Sequence, residues 1–502
     1  MNHFFLPLDS LDKLLTYSFS KKQITWIVLV IIGISLLCHL PVLDLDIQGK
    51  HAWRQTQTMW NIKNFAESDP NIINPRVSHF NYGDTNIYRY EFPLLQWTIG
   101  MTQRVLGSNV LLVRIMLFLF GAMGAIGFFK LLQRIGVNTW SAFAGLLCYL
   151  FCPVIFYYII NPLPDNLALA AGIWYLYHIV SYQQSNENRY LFLASISLLI
   201  ATLAKLPFLM FSIVSIFFFV KDLLRGQNSW PKLIAFGAIQ LAVLVPALLW
   251  YHWVMPGWEG NGILKGVFDG ETDWANNAKI LTYHSKTMFP FLLLYPSVWL
   301  PLLVGLVFGF RISTKDISWI WSLVGITFLY LILQWDVIGT VHDYYLMPFL
   351  PWLYIFVTLG IEKLLKTRSI IWSVVALICL LSTPIVSYQM TVDKWYAVWY
   401  NKDLYTHRQV LIDAVSNDEL CIMLRDMSKY VFPYQVNKRG YIYPNETLSG
   451  KTVEKLIKEK GIHYLYSDSR KFEEKVDVQP LLDSLILEAG SIHVYRLKNL
   501  KK

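Results

Sequence analysis

The sequence has 502 residues, of which 55% are hydrophobic and only 15% are charged, and its mean hydropathy is +0.40. This apolar share excludes an ordinary soluble domain and indicates a protein of the lipid bilayer. The formal net charge of +9 is spread over short connections between apolar segments, which argues against a nucleic-acid-binding face. The five cysteines show no spacing typical of a zinc site or a disulfide framework.

The first apolar segment runs from Ile24 to Leu43 and follows Lys21 and Lys22. Its length is enough for one helix to cross the hydrocarbon core of a membrane. Because no small-residue cleavage site follows it, the sequence predicts a retained anchor and not a signal peptide that is removed.

Apolar segments then recur along the chain and predict about eleven membrane spans in all. They lie near 109–130, 138–160, 166–182, 190–204, 206–220, 232–254, 288–310, 316–334, 344–361 and 369–389. Alternate connections are basic, from Lys130 and Arg134 through Lys221 to Lys363. Since Lys and Arg are retained in the cytoplasm, this predicts a multi-pass membrane protein with a cytoplasmic N-terminus. We expect it in the inner (plasma) membrane.

From about Asp393 the sequence changes character, and short strand-like patterns appear at 421–424, 441–444, 463–466 and 492–497, with a helical pattern at 452–461. We therefore predict a mainly α transmembrane helical bundle at 1–390 and a small extracytoplasmic α/β domain at 391–502. The long outer loops of the bundle would be 44–108 and 255–287. Trp53 and Trp60 in the first loop predict an amphipathic interfacial helix, and the second loop is a candidate gate over a site.

Polar residues collect on the predicted outer face, at membrane depth or at its edge, where ionisable groups are costly and often functional. They are Asp44, Asp46, His51, Trp53, Arg54, Asp165, Lys205, Asp336, His342 and Asp343. One site assembled from several loops would require such a distribution. Taken singly, each residue could instead cap a helix or extend its polar end to the interface.

The alternatives differ from residue to residue. Asp165 follows a proline-rich turn and could take part in catalysis or cap the N-terminus of the next helix. Lys205 could bind a lipid phosphate or reach the outer surface from a helix end. His342 and Tyr345 could hold phosphate or belong to an aromatic belt. Spacing does not choose between Asp44 and Asp46 as a general base, with Asp46 slightly preferred.

Several motifs in this order resemble those of the GT-C superfamily, specifically the bacterial glycosyltransferase family 39 proteins related to protein O-mannosyltransferases and the lipid A aminoarabinose transferase. The motifs are HAWRQTQT from His51, YEFPLLQW from Tyr90, VRI around Arg114, LPDNL around Asp165, TLAKLP around Lys205 and HDYYLMPFLPWL from His342. The resemblance covers about 1–390. It implies a polytopic GT-C helical bundle that carries a glycosyltransferase site.

The resemblance further implies an inverting transfer of a sugar from a polyprenyl-phosphate donor to an acceptor (protein, lipid or glycan) on the outer face. Asp46, or Asp44, matches the first-loop acid that acts as base or positions the acceptor, and Asp165 matches a second acid near it. The positions assigned to the donor phosphate are Lys205, His342, Arg54 and Tyr345, and those assigned to substrate contact are His51, Trp53 and Glu91. Neither a cofactor nor a metal is implied.

The sequence also departs from these relatives. Glu91-Phe92-Pro93 stands where the aminoarabinose transferases have a Lys-Pro-Pro-like segment, and the reversed charge argues against aminoarabinose as the sugar. Two other functions compete with the transferase: a transporter or flippase for lipid-linked sugars, and an inactive lipid-binding scaffold. A transporter would be expected to show inverted repeats and polar groups at mid-span. The halves show no repeat, and the polar groups lie at one face.

Overall fold

The structure, a computed structural model, describes residues 17–226, 230–258, 274–312, 315–367 and 369–500. The chain divides into two compact units. The helical unit takes Met1–Asp44, Tyr90–Phe92 and Val113–Lys394, and the mixed unit takes Leu45–Arg89, Pro93–Leu112 and Trp395–Lys502. Each unit is described separately.

The helices of the helical unit are numbered here in chain order. They are α1 Lys21–His39, α2 Val110–Arg134, α3 Thr139–Leu150, α4 Pro153–Tyr158, α5 Asp165–Ser185, α6 Asn188–Ala204, α7 Ile213–Leu224, α8 Trp230–Val254, α9 Trp274–Tyr283, α10 Pro296–Ile312, α11 Ile320–Leu333, α12 Trp335–Ile338, α13 Leu350–Lys366 and α14 Ile370–Trp395. Short 3₁₀ segments at Leu40–Val42, Leu206–Ser212, Met255–Trp258 and Asp343–Phe349 and a π-helix at His284–Leu293 complete the unit.

Local sequence signals set several of these boundaries. Helix α1 begins after Ser20, whose hydroxyl accepts from the Gln23 N–H at 3.3 Å while the Gln23 side chain accepts from the Ser20 N–H at 2.8 Å. This reciprocal pair is a capping box and satisfies two backbone donors at the helix start. Helix α5 ends at Asn186, which adopts the left-handed conformation with φ 58°, as asparagine tolerates at helix ends.

The predicted apolar segments all contain helix, but the predicted count of eleven spans is not confirmed. Among the described residues, six helical stretches are long and apolar enough to cross a membrane. They are Lys21–Val42, Val110–Arg134, Leu206–Leu224, Ile234–Trp258, Asp343–Lys366 and Ile370–Trp395. A seventh results if Trp274–Leu293 and Pro296–Arg311, which meet at an angle of 101°, form one broken span.

Helix length explains most of the difference. Helix α5, with 21 residues, is long enough but is not apolar enough to be counted as a span. The predicted span at 138–160 is interrupted between α3 and α4, where Pro153 begins the second helix. The 12 residues of α3 reach only ~18 Å at the α-helical rise, whereas the hydrocarbon core is about 30 Å thick. Helices α6 and α11 are also shorter than a span. Hydropathy alone therefore overestimates the number of complete spans.

Of the predicted outer loop at 255–287, residues 259–273 lie outside the described residues. The described remainder consists of Met255–Trp258, α9 and the start of the π-helix. The gate predicted for this loop stays a prediction.

The mixed unit contains a five-stranded sheet in the order β2-β1-β3-β5-β4. Its strands are β1 Leu420–Leu424, β2 Arg439–Tyr443, β3 Tyr464–Ser467, β4 Leu482–Ala489 and β5 Ile492–Leu497. Strand β1 pairs in parallel with β2 and β3, whereas β5 pairs antiparallel with β3 and β4. Its short helices are Lys402–Thr406, Arg408–Asp413, Val431–Val436, Gly450–Lys460 and Arg470–Glu473, with a 3₁₀ turn at Gln479–Leu481.

Four of these strands and the Gly450–Lys460 helix were predicted from the sequence. Strand β4 was missed because it lies at the sheet edge and exposes most of its side chains, so its sequence carries no clear apolar alternation. The predicted helix ends as expected, at Gly461 with φ 65°.

The first loop belongs to the same unit as the sheet. Its segment at 78–81 lies along β2: the Phe80 N–H donates to Gly440 O at 3.0 Å, and the Gly440 N–H donates to Ser78 O at 3.2 Å. Helices Ala52–Glu67 and Leu94–Leu106 complete the loop. The helix predicted around Trp53 is present, but it is buried on almost all sides and has no wide exposed apolar face, unlike an interfacial helix.

Helices α10 and α13 approach so closely that glycine is required at their contact. A Cβ at Gly360 would lie 1.7 Å from Pro301 O, and one at Gly305 would lie 1.8 Å from Phe356 O. Small residues permit such backbone contacts between helices in membranes.

We expect Gly360→Val to lower the free energy of unfolding by about 2–3 kcal/mol, because the helices must separate to accept the side chain. Gly325→Val on α11 is the matched control, since a Cβ there meets no atom within 4 Å. Thermal unfolding of both variants in detergent tests this. Equal midpoints for the two variants would contradict the close contact.

Candidate active site

The turn before Asp165 is held by a buried arginine of α2. Arg114 is 1% exposed and donates from Nη1 to Asn161 Oδ1 at 2.7 Å and to Ile160 O at 3.3 Å. The Asn166 side chain donates to Asn161 O at 3.3 Å. These bonds fix the turn from which α5 starts, so the position of Asp165 is determined by side chains of two elements.

Lys205 lies at a break between two helical segments. Helix α6 ends at Ala204, Lys205 is extended with φ −160° and ψ 112°, and the Leu206–Ser212 turn begins with a proline in its first positions. Pro207 has no N–H and therefore cannot continue the α6 hydrogen-bond pattern. Lys205 is therefore held at the junction between α6 and the Leu206–Ser212 turn.

Asp165 and Lys205 form a buried ion pair. Lys205 Nζ lies 3.8 Å from Asp165 Oδ2, and the two residues are 9% and 1% exposed, respectively. Charges removed from water keep their charged forms only when each has a partner of opposite sign or several hydrogen bonds. The two side chains therefore stabilise each other's charged form.

Aromatic rings surround the lysine. Lys205 Nζ lies 4.5 Å from the ring centroid of Tyr345 and 6.0 Å from that of Tyr344, distances at which a cation interacts with an aromatic face. The His342 ring stacks on Tyr345 with centroids 5.2 Å apart. We name Asp165, Lys205, Tyr344 and Tyr345 the lysine cluster.

A second buried carboxylate adjoins this cluster. Asp343 is 1% exposed and accepts from the Tyr158 hydroxyl at 3.4 Å. The Tyr158 and Tyr344 rings lie 5.9 Å apart. Tyr158 was not among the predicted site residues, because a tyrosine within an apolar segment gives no signal of its own.

Glu91 sits on a short segment against the same helices. The Phe92 N–H donates to Leu203 O at 3.1 Å, two residues before Lys205, and Trp250 Nε1 donates to Tyr90 O at 3.2 Å. Glu91 itself is buried. The segment 90–92 therefore belongs to the helical unit together with the lysine cluster.

The two first-loop aspartates differ in their surroundings. Asp44 is exposed and belongs to the helical unit, whereas Asp46 is partly buried in the mixed unit. Asp46 Oδ1 accepts from the Tyr434 hydroxyl and from the Ile47 N–H, each at 2.6 Å, and Oδ2 pairs with Arg408. Asp46 therefore fixes the start of the loop to the C-terminal segment.

This anchor includes a tyrosine that bonds the same stretch of loop. The Tyr400 hydroxyl donates to Ile47 O at 3.3 Å. Burial, with a smaller contribution from the negative charge of Asp46, raises the pKa of Tyr400. The hydroxyl therefore stays protonated and available as a donor at any physiological pH.

The remaining predicted first-loop residues make their described contacts inside the mixed unit. His51 precedes the Ala52–Glu67 helix in a left-handed conformation with φ 54°, and its ring lies 6.4 Å from that of Trp53. Arg54 is 6% exposed and donates to Gln57 Oε1 at 2.5 Å.

Within the helical unit, the structure thus brings together Asp165, Lys205, His342 and Tyr345. Asp46, His51, Trp53 and Arg54 belong to the other unit. The side chain of Asp336 lies outside the described residues. Arg408 and Tyr434 were not predicted, because no motif in the polar C-terminal segment marks them as partners of Asp46. In the described part of the chain, no group of three or more His, Cys, Asp or Glu side chains could hold a metal ion.

We expect Arg114→Met to destabilise the protein by about 2–4 kcal/mol, because it leaves the oxygens of Ile160 and Asn161 buried without this donor. Lys130→Met is the matched control, since Lys130 lies on the same helix and is exposed. Thermal unfolding in detergent measures the difference. An Arg114→Met protein as stable as the control would show that the turn does not depend on this arginine.

Comparisons with known proteins relate this architecture to membrane glycosyltransferases. Residues 91–250 match the family model described as dolichyl-phosphate-mannose-protein mannosyltransferase. This range contains Glu91, Arg114, Asp165 and Lys205. A comparison with curated protein sequences finds no significant match.

Solved structures match over nearly the whole chain at low sequence identity. ArnT from Cupriavidus metallidurans in the apo state has a TM-score of 0.60 at 12% identity, covering 95% of this chain and 98% of that one. The same protein bound to undecaprenyl phosphate gives 0.59 at 13% identity, with 93% and 97% covered.

An archaeal oligosaccharyltransferase, AglB from Archaeoglobus fulgidus, in complex with an inhibitory peptide and a dolichol-phosphate, gives a TM-score of 0.56 at 11% identity, with 88% and 69% covered. These matches share the helical architecture that the sequence motifs predicted, and together with the apolar helices they indicate a multi-pass membrane protein. The chain therefore has the fold of the GT-C membrane glycosyltransferases, and the resemblance predicted from its sequence is confirmed.

Proposed function

We propose that the protein is an inverting glycosyltransferase that moves a sugar from a polyprenyl-phosphate donor to an acceptor hydroxyl of a protein, lipid or glycan on the outer face of the inner membrane. The lysine cluster is the observation that carries this proposal, because it holds a buried cation at a break between apolar helices. ArnT bound to undecaprenyl phosphate and AglB in complex with a dolichol-phosphate share the fold, which supports a lipid phosphate as the ligand.

Lys205 is the proposed partner of the donor phosphate. An ammonium group carries three N–H donors, and Asp165 lies 3.8 Å from it, so the lysine can bind a phosphate oxygen while keeping its carboxylate neighbour. When the bond between the sugar and the phosphate breaks, negative charge develops on the phosphate. A positive charge already fixed in a water-poor site stabilises that leaving group without reorganising at the moment of reaction.

Asp44 is the proposed general base. The sequence slightly favoured Asp46, but its two carboxylate oxygens accept from Tyr434, the Ile47 N–H and Arg408. Asp44 is exposed and belongs to the same unit as Lys205, which supports its access to an acceptor. Asp46 then has a positioning function for the loop that follows.

The proposed reaction is a single displacement. The acceptor oxygen attacks the anomeric carbon while its proton passes to Asp44, and the bond between that carbon and the phosphate oxygen breaks. One carboxylate is sufficient, because no covalent glycosyl intermediate forms. The anomeric configuration is inverted, and the phosphate leaves with its negative charge facing Lys205.

The distribution of basic residues supports an outward-facing site. Arg134, Lys221 and Lys315 lie together near the Ser185 end of α5, whereas Asp165 begins that helix. Because Lys and Arg are enriched on the cytoplasmic side, we propose that the lysine cluster and the C-terminal sheet are extracytoplasmic and the N-terminus cytoplasmic.

We expect Asp44→Asn to lower kcat by about 10²- to 10⁴-fold, the usual contribution of a general base, without a change in thermal stability. Asp46→Asn should instead lower stability, and Arg408→Gln should reproduce its effect, since the two residues form one ion pair. Transfer of radiolabel from a panel of polyprenyl-phosphate sugars into membrane extracts measures activity. A folded, inactive Asp46→Asn protein beside an active Asp44→Asn protein would reverse the assignment.

For Lys205→Gln we expect kcat/KM for the donor to fall about 100-fold, because the leaving phosphate loses its cation. Lys205→Arg should retain part of the activity, since it keeps the charge but not the compact ammonium geometry. Lys130→Gln, an exposed lysine on α2, is the control. If no donor in the panel is consumed, the transporter or the scaffold function replaces the transferase.

A further inference from the structure

A pocket lies in the helical unit at the Ser185 end of α5. Its volume is about 560 Å³, and it is lined by Arg134, Gln183, Gln184, Lys221, Lys315 and Asp316 together with Val180, Ser185 and Phe218. Helix α5 runs from Asp165 to Ser185, so its 21 residues separate the two ends by ~30 Å. This distance equals the thickness of the hydrocarbon core, and the pocket is therefore separate from the lysine cluster.

Three cations but only one carboxylate line this pocket. Lys221 pairs with Asp316, and Asp316 also accepts from the Ser318 N–H at 2.9 Å and from the Ser318 hydroxyl at 2.6 Å. Lys315 donates to the neutral Gln184 Oε1 at 3.3 Å. Asp222, which does not line the pocket, accepts from Gln183 Nε2 at 3.0 Å. Among the lining residues themselves, positive charge is in excess.

Arg134 is held by two described contacts. Its Nη2 donates to Ser181 O at 3.1 Å, and its guanidinium carbon lies 5.6 Å from the Tyr190 ring. Its Nε is buried, and no hydrogen-bond partner for it occurs among the described residues. A buried donor of this kind is better accommodated when an anion or a water accepts from it.

The pocket also has an apolar side. Val180 of α5 and Phe218 of α7 line it, and both helices belong to the apolar bundle. Basic pockets between membrane helices on the cytoplasmic side are suited to anionic lipid head groups, because the cations meet the phosphate and the apolar wall meets the chains.

We propose that this pocket binds the phosphate of an anionic membrane phospholipid, with Arg134 and Lys315 contacting the phosphate and Val180 and Phe218 contacting the apolar part of the lipid. The site ties together the ends of α2, α5 and α7 and the connection that precedes α11. Bound lipid therefore stabilises the bundle at the face opposite the lysine cluster.

The test is thermal unfolding of the purified full-length protein in a neutral detergent, with increasing phosphatidylglycerol, phosphatidylcholine or inorganic phosphate. We expect phosphatidylglycerol to raise the unfolding midpoint and the other two additives to leave it unchanged. Lys315→Gln and Arg134→Gln should each raise the phosphatidylglycerol concentration for a half-maximal effect about fivefold, as expected for one cation near a lipid phosphate.

Arg311→Gln is the matched control, because Arg311 is an exposed cation near the end of α10 and does not line the pocket. It should respond to phosphatidylglycerol like the native protein. Should Arg134→Gln fail to fold, Lys315→Gln decides alone, since that side chain is exposed. An equal response of Lys315→Gln and the native protein overturns the proposal, and so does an equal effect of inorganic phosphate, which would make the pocket a site for free phosphate.

Discussion

The buried pair of Asp165 and Lys205 is the interaction on which the proposed chemistry of the helical unit depends. Two charges 3.8 Å apart, each largely removed from solvent, are tolerated because each compensates the other and because aromatic rings adjoin the lysine. A membrane protein that keeps such a pair accepts a desolvation cost that two apolar residues would avoid. The proposed function accounts for this cost, because a lipid phosphate needs a cation at that place.

Much of the surrounding structure holds this pair in position. Arg114 fixes the turn from which Asp165 begins α5, and the break after Ala204 directs Lys205 out of α6. The segment at 90–92 is bonded to the last turn of α6 through Leu203. Side chains on rigid helices are held more accurately than side chains on loops, and both charged residues stand directly at helix ends.

The two first-loop aspartates look equivalent in the sequence, but their contacts in the structure differ. Asp44 and Asp46 are two positions apart, yet one is exposed in the helical unit and the other is bonded to Tyr434 and Arg408 in the mixed unit. A carboxylate whose oxygens already accept several hydrogen bonds is suited to holding a loop, and an exposed one is suited to exchanging a proton with an acceptor.

The sequence by itself determined the membrane class, the helical character of every apolar segment and four of the five strands, and it singled out Asp165, Lys205 and Tyr345 as candidate site residues. These properties follow from local signals: hydropathy, strand alternation, and charged residues where the bilayer makes them costly. Only the tertiary structure decided which helices are long enough to span, that the first loop shares a unit with the C-terminal sheet, and that Asp46 meets Arg408. Each of these depends on where a helix ends or on which residues distant in sequence are in contact. Contacts between residues more than 350 positions apart leave no pattern in a single sequence.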